Sequence, residues 1–363
     1  MVDRVVLHIG TMKSGTSYLQ RVLESGVLEN VEAFYAGGAF RAQSRAVDGL
    51  PLITKRGGGK AWRDLAARTL ERTGTAVYSH EFLSFASEQR VQQVVEPFAG
   101  TPVEVVLTVR DQHSALPAQW QSFVRNKGLE SWDDYLAAVQ GSRRATRSRP
   151  RSGPTSPKPA QNYRRTQDVP RMVRAWSGNP GVAQVSVVTV PRAGAPAELL
   201  WQRFGEASGL ASVSPPDAGV RVNESLGYAS CDLLRRLNES LVGLPRLAYE
   251  RARRQPVQAL LPLRDHEQRP VTDRAGGATA RKLNQKILRA ASRDGVRLVG
   301  SADDLPVTDP ANEPLAVPPA DAEEVRRALG VAWEACLPGA APPPDDLDAG
   351  VAELGRRLAV RFG

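Results

Sequence analysis

His8-Ile9-Gly10-Thr11-Met12-Lys13-Ser14-Gly15-Thr16-Ser17-Tyr18-Leu19 is the stretch on which the fold turns. The apolar run Val5 to Ile9 reads as a strand and Thr16 to Leu23 as a helix. A strand that enters a glycine-bearing loop and leaves it as a helix is the setting of a phosphate cradle. Gly10 and Gly15 let the backbone turn tightly and approach a ligand, while the free N–H groups and dipole of a helix start favour an anion. Thr16 and Ser17 add hydroxyl donors. An ordinary nucleotide loop reads Gly-x-x-x-x-Gly-Lys followed by Ser or Thr. Here the glycine spacing is kept, but Thr16 stands where that lysine belongs, and the lysine of this loop is Lys13. The displacement argues against an ordinary ATPase or kinase.

Outward from the loop, a strand-then-helix rhythm continues to about residue 210. Ala61 to Arg72 reads as a helix, and Ala76 to Ser79, Val103 to Val109 and Val185 to Val190 read as strands rich in β-branched residues. The rhythm predicts an α/β fold with a doubly wound, mainly parallel sheet. Beyond Leu210 only helical segments are expected, at Glu224 to Leu241, Ala278 to Ser292, Ala320 to Cys336 and Asp346 to Phe362. The reading therefore divides the chain into a core over residues 1–240 and a C-terminal helical extension over 241–363. Gly141 to Pro159, dense in Arg, Ser and Pro, reads as a mobile insertion within the core. It ranks first as a solvated loop, then as a lid or clamp for an acidic acceptor. A nucleic-acid arm comes third, because no aromatic residues interleave with its arginines to stack bases.

The chain of 363 residues, 41% hydrophobic and 24% charged, is long enough for a sizeable core and is neither a disordered chain nor a rod. Two cysteines and four histidines are too few for a disulfide scaffold or a multi-histidine metal centre, so no metal site is expected. No apolar run approaches the roughly 18 residues of a membrane helix, and a reducing, cytoplasmic location is the expectation. The net charge is +9, and all but 7 of the 48 basic residues are arginine, whose planar fork suits phosphate or sulfate. A genome-wide compositional bias gives the same excess, so charge alone only hints at an anionic ligand.

Two further strand ends carry chemistry. The strand Val103 to Val109 runs into Arg110, ahead of a helix with Leu116, Trp120 and Phe123 on its apolar face. Ligands of open α/β sheets bind beyond the carboxyl ends of strands, which aims Arg110 at the edge that holds the Gly10 loop. The plain alternative is a solvated strand-end cation. Ala76-Val77-Tyr78-Ser79 runs into His80-Glu81, two candidate bases at the same edge, with a helix-start glutamate beside a core histidine as the structural alternative. His8 reads as a packed core histidine. Ser114 and Asn223 read as helix caps, and Cys231 and Cys336 as small apolar residues.

Lys13-Ser14-Gly15-Thr16-Ser17 behind a His-Ile-Gly strand resembles the 5′-phosphosulfate loop of the sulfotransferases that use 3′-phosphoadenylyl sulfate (PAPS), in their bacterial branch. The Ser-His-Glu strand end, Arg110 with its Leu-Pro-x-Gln-Trp-Gln helix, VSVVTVP with LLWQRF behind it, and NESLG at 223–227 extend the likeness over roughly residues 1–240. The resemblance implies transfer of a sulfuryl group in line from PAPS to a hydroxyl or amine of a small-molecule or glycan acceptor, leaving 3′,5′-ADP (PAP). It implies that Gly10, Thr11, Lys13, Ser14, Gly15, Thr16 and Ser17 hold the 5′-phosphosulfate and that Lys13 stabilises the leaving oxygen. Arg110 matches the arginine that holds the 3′-phosphate. The serine expected eight residues later is Ala118 here, and Ser122 or Arg125 share its helix face and are the substitutes. Glu81, with His80 close behind, is the implied base. The alternative is a divergent nucleotide-binding member without activity, or a nucleic-acid-binding protein that works through Arg143 to Arg151.

Overall fold

The computed structural model describes residues 1–52, 57–141, 158–196, 198–215, 225–308 and 313–363. Most of the Arg-rich insertion lies outside the described residues, as do Asn223 and Glu224. Six strands, β1 Val2–His8, β2 Ala33–Tyr35, β3 Gly74–Ser79, β4 Val103–Val109, β5 Val182–Thr189 and β6 Val296–Val299, form one parallel sheet in the order β2-β3-β1-β4-β5-β6. Among the helices, α1 is Thr16–Glu24, α2 Phe40–Asp48, α3 Lys60–Leu70, α4 Glu88–Val95 and α5 Gln112–Val124. They continue as α6 Trp132–Gln140, α7 Pro159–Gln167, α8 Val169–Ser177, α9 Leu199–Ser208, α10 Tyr228–Leu241 and α11 Arg246–Leu260. The last three are α12 Arg274–Ala291, α13 Ala322–Cys336 and α14 Leu347–Phe362. None of the described helices is long and apolar enough to cross a membrane.

The chain forms two compact units, and the first comprises residues 1–115, 165–222 and 280–308. Its strands alternate by side, as a pleat requires. Val5, Leu7, Tyr78, Val105, Leu107, Val185 and Val187 pack with Trp62 of α3, Val91 of α4, Trp176 of α8 and Ile287 of α12. Val6, Val77, Val106 and Val188 face the other way, onto Leu19 of α1 and Trp201 and Phe204 of α9. Both faces of the sheet are therefore buried by helices, the arrangement of a doubly wound fold. The order of the strands locates its crevice. From β1 the chain runs to β2 at one edge, steps back to β3 beside β1, and then crosses to begin β4 on the other side. The carboxyl ends of β1 and β4 flank the point where the winding reverses, and open α/β sheets bind ligands there.

Two corrections concern the reach of the sheet. β6, a Val-Arg-Leu-Val run of four residues between Gly295 and Gly300, pairs in parallel with β5. The stretch beyond residue 240 is therefore not a purely helical extension. Such a run is too short to show a period, and its partner precedes it by about a hundred residues of sequence. β2, only three residues long, escaped notice for the same reason. Nor does the division fall at residue 240, because the second unit collects residues 116–164, 223–279 and 309–363. Within that unit α10 packs on α13 and α14, and α11 packs on α13. Trp132 stacks on Tyr135 and packs at a tilt on Trp120 in its interior, and Asn238 of α10 donates to the carbonyls of Val124 and Gly128 at 2.8 and 2.9 Å.

Candidate functional site

A row of buried polar side chains crosses the ends of β3, β1 and β4 beneath the Gly10 loop. His8 Nδ1 lies 2.7 Å from Ser79 Oγ, and His8 Nε2 lies 3.1 Å from Thr108 Oγ1. Thr108 Oγ1 is 2.7 Å from Ser14 Oγ, which in turn donates to the Thr11 carbonyl at 2.6 Å. The last acceptor fixes the direction of the whole row, because a carbonyl only accepts. Ser14 spends its proton on Thr11, so Thr108 donates to Ser14, His8 donates to Thr108 through Nε2, and Ser79 donates to His8 Nδ1. The imidazole is thereby a neutral Nε2–H tautomer. Burial also disfavours its charged form and pulls the pKa from 6.5 to about 3. Thr108 grips the loop a second time, its carbonyl accepting from the N–H of Thr11 at 2.9 Å and from Thr11 Oγ1 at 3.2 Å.

This row decides which loop residues face inward. Gly10, Thr11, Ser14 and Thr16 are buried, whereas Lys13 and Ser17 are exposed. Thr11 and Ser14, expected around the phosphosulfate, have committed their hydroxyls to Thr108 and Thr11, so their side chains hold the loop. Gly10 packs directly on the row. A Cβ there would stand 2.4 Å from Thr108 Oγ1 and 2.7 Å from Thr16 Oγ1, too close for any other residue. Lys13 and Gly15 both have positive φ, 67° and 85°, the alternation that turns successive N–H groups toward one concave side. Lys13 holds this conformation at a cost that glycine would avoid.

Gly15, the N-cap of α1, has no side chain to satisfy the first N–H groups of the helix, and Thr16 Oγ1 is buried with no hydrogen-bond partner. A loop with a Cβ-free floor, an uncapped helix start and an orphaned hydroxyl fits a phosphate ester.

Two buried glutamines tie this loop to Arg110. Gln167 Nε2 donates to the Met12 carbonyl at 2.7 Å, and Gln112 Nε2 lies 3.4 Å from Gln167 Oε1 and 2.9 Å from the Arg110 carbonyl. The corner after Arg110 is held from α12, where Asn284 accepts from the Gln112 N–H at 2.9 Å and donates to Asp111 Oδ1 at 2.8 Å. Asp111, not Ser114, caps α5: its carboxylate accepts from the His113 N–H, and Ser114 donates back to it. Arg110 is half-buried beside this corner. Ser122 belongs to the second unit, where its carbonyl accepts from Asn126.

No protein-family model matches this chain, and no curated protein or solved structure matches it. The site therefore stands on its own geometry.

The Ser-His-Glu strand end separates its two candidate bases. His80 is 2% exposed, stacked on Phe40 with ring centroids 5.2 Å apart, and its Nδ1 accepts from the Phe82 N–H at 3.2 Å. The ring caps the short 3₁₀ turn Glu81–Phe85, and burial pulls its pKa down although Glu81 and Asp48 push it up. Glu81 is half-buried, and its Oε2 accepts at 3.3 Å from Gln20 of α1, which also donates to the Ser79 carbonyl at 3.0 Å. The helix that begins at the loop thus also steadies the carboxylate.

Thr108, Gln112, Gln167, Asn284 and Gln20 were missed from sequence. Thr108 is a lone polar residue in an apolar strand, which marks a buried hydrogen bond without naming its partner, and the four amides stand beside other polar residues that hide them.

A titration tests the row. Followed by NMR, the His8 imidazole is expected to stay neutral with its proton on Nε2 from pH 8 to 5, and a midpoint near 6.5 would contradict the assignment. The folded pKa lies below the unfolded one. The associated stability is therefore complete above about pH 6.5 and is lost as pH falls toward 3, by up to about 1.4 kcal/mol per unit.

Proposed function

We propose that this chain is a PAPS-dependent sulfotransferase whose donor binds at the Gly10 loop and reaches Arg110. The observation that carries the reading is the loop itself. It is a pre-shaped, uncapped helix start at the winding reversal of the sheet, with Lys13 exposed beside it and Arg110 tied to it through Gln167 and Gln112. PAPS, when bound, supplies the sulfuryl group and a leaving 5′-phosphate oxygen.

The N–H groups from Ser14 to Ser17 hold the 5′-phosphate, and Ser17 adds a hydroxyl at the surface of the loop. Lys13 offsets the negative charge that grows on the bridging oxygen as its bond to sulfur breaks. A cation fixed before the reaction needs no reorganisation at that moment, which gives the strained backbone at Lys13 a purpose. Arg110 pairs with the 3′-phosphate through its planar fork. Glu81 accepts the proton that the acceptor hydroxyl or amine loses as its oxygen or nitrogen bonds to sulfur. His80 suits that task less well, because one ring nitrogen serves the turn and the other is buried without a partner.

Calorimetry of the full chain is expected to show PAP binding at least about tenfold more tightly than AMP, since only PAP gives Arg110 a second phosphate. Equal affinities would overturn the donor assignment, and tight PAP binding without turnover of PAPS on any acceptor would mark a non-catalytic nucleotide binder. With labelled PAPS and a responsive acceptor, Lys13→Ala should lower kcat by about 10² to 10³ with a smaller loss of donor affinity. Glu81→Gln should lower turnover by about 10² to 10⁴ and leave PAP binding nearly intact. Loss of turnover in His80→Ala with none in Glu81→Gln would transfer the base to the histidine.

A further inference from the structure

The second unit holds a concentration of positive charge that the proposed reaction does not use. Arg125, just past the end of α5, and Arg251, Arg253 and Arg254 of α11 line a groove of about 420 Å³, with Leu247 and Val257 as its apolar wall. That volume is within the range of small-molecule sites. The one carboxylate lining the groove, Glu250, is paired with Arg246 at 3.1 Å one helical turn away. Among the described residues no carboxylate pairs with Arg251, Arg253 or Arg254.

A solvated arginine face would leave every guanidinium nitrogen in water. Arg253 departs from that, because its Nε is buried and has no hydrogen-bond partner. Neighbouring guanidinium groups repel one another, and a donor withdrawn from water without an acceptor is costly to hold. An oxyanion in the groove relieves that repulsion. Arginine forks match the tetrahedral oxygens of phosphate and sulfate, and four of them exceed what a single such group can occupy.

We propose that this groove is a second anion site, independent of the Gly10 loop, for a compact polyanion bearing two or more phosphate or sulfate groups. Arg251 and Arg254, exposed on α11, meet its oxygens, and Arg253 and Arg125 line the same groove.

Calorimetry of the full chain with inorganic pyrophosphate, against inorganic phosphate as the single-group control, tests the site. Pyrophosphate should bind at least about tenfold more tightly than phosphate, and Arg251→Ala with Arg254→Ala should weaken it by at least about tenfold. Both changes raise helix propensity, so α11 is expected to survive them. Glu250→Gln should tighten binding about twofold or more by removing the one negative lining group, a gain that a damaged fold does not give. Lys13→Ala should leave the arginine-dependent component of this binding unchanged. The proposal is overturned if the double arginine variant binds pyrophosphate as the parent chain does, or if the parent binds none. A loss that appears in Lys13→Ala instead would place the anion at the Gly10 loop. A single-stranded oligonucleotide that binds the groove while pyrophosphate does not would replace the compact ligand with a polymer.

Discussion

A neutral imidazole wedged between two hydroxyls is the constraint on which the site depends. His8 sits at the end of the central strand, bonded on one side to Ser79 and on the other to Thr108. Those bonds lock three strand ends in register, and Thr108 passes the constraint to Ser14 and Thr11. The loop is therefore shaped from below by the sheet. The Thr11 and Ser14 hydroxyls are spent on the Thr108 and Thr11 carbonyls, and no side chain caps the helix start behind them. A charged His8 would have two donors and no acceptor for the Ser79 proton, so burial and hydrogen-bond direction require the same protonation state.

The same logic extends sideways. On one flank Gln20 couples the helix after the loop to the Glu81 strand end, and on the other Gln167 and Gln112 couple the residue before Lys13 to the carbonyl of Arg110. Three charged side chains borne on three different strand ends are thus held by buried neutral amides. Amides suit this because they supply a donor and an acceptor without bringing a further charge into the interior. The charged groups keep their exposure while the backbone that carries them does not move freely.

Much of this was legible in the sequence where a pattern is local. The loop between β1 and α1, the strand Val103–Val109 with Arg110 at its end, and the helical face of Leu116, Trp120 and Phe123 follow from periodicity and glycine placement. β2 and β6 were not legible because three or four residues carry no period, and the sheet alone supplies their reason to be extended. His8 reads correctly as a buried histidine, yet its partners lie 71 and 100 residues away and only folding reveals that it organises the loop. Thr11 and Ser14 show the opposite failure. Their types and positions suit ligand donors, but the direction of their hydrogen bonds turns them into supports. Residue type announces capability, and the surrounding acceptors decide how it is used.

Amide hydrogen exchange with and without PAP tests most directly whether the row-supported loop is the nucleotide site. Addition of PAP is expected to slow exchange in the segment from Gly10 to Tyr18 and around Arg110, where the unbonded N–H groups of the helix start would gain phosphate acceptors. Protection confined to other segments, with Gly10 to Tyr18 exchanging as in the free chain, would contradict the account.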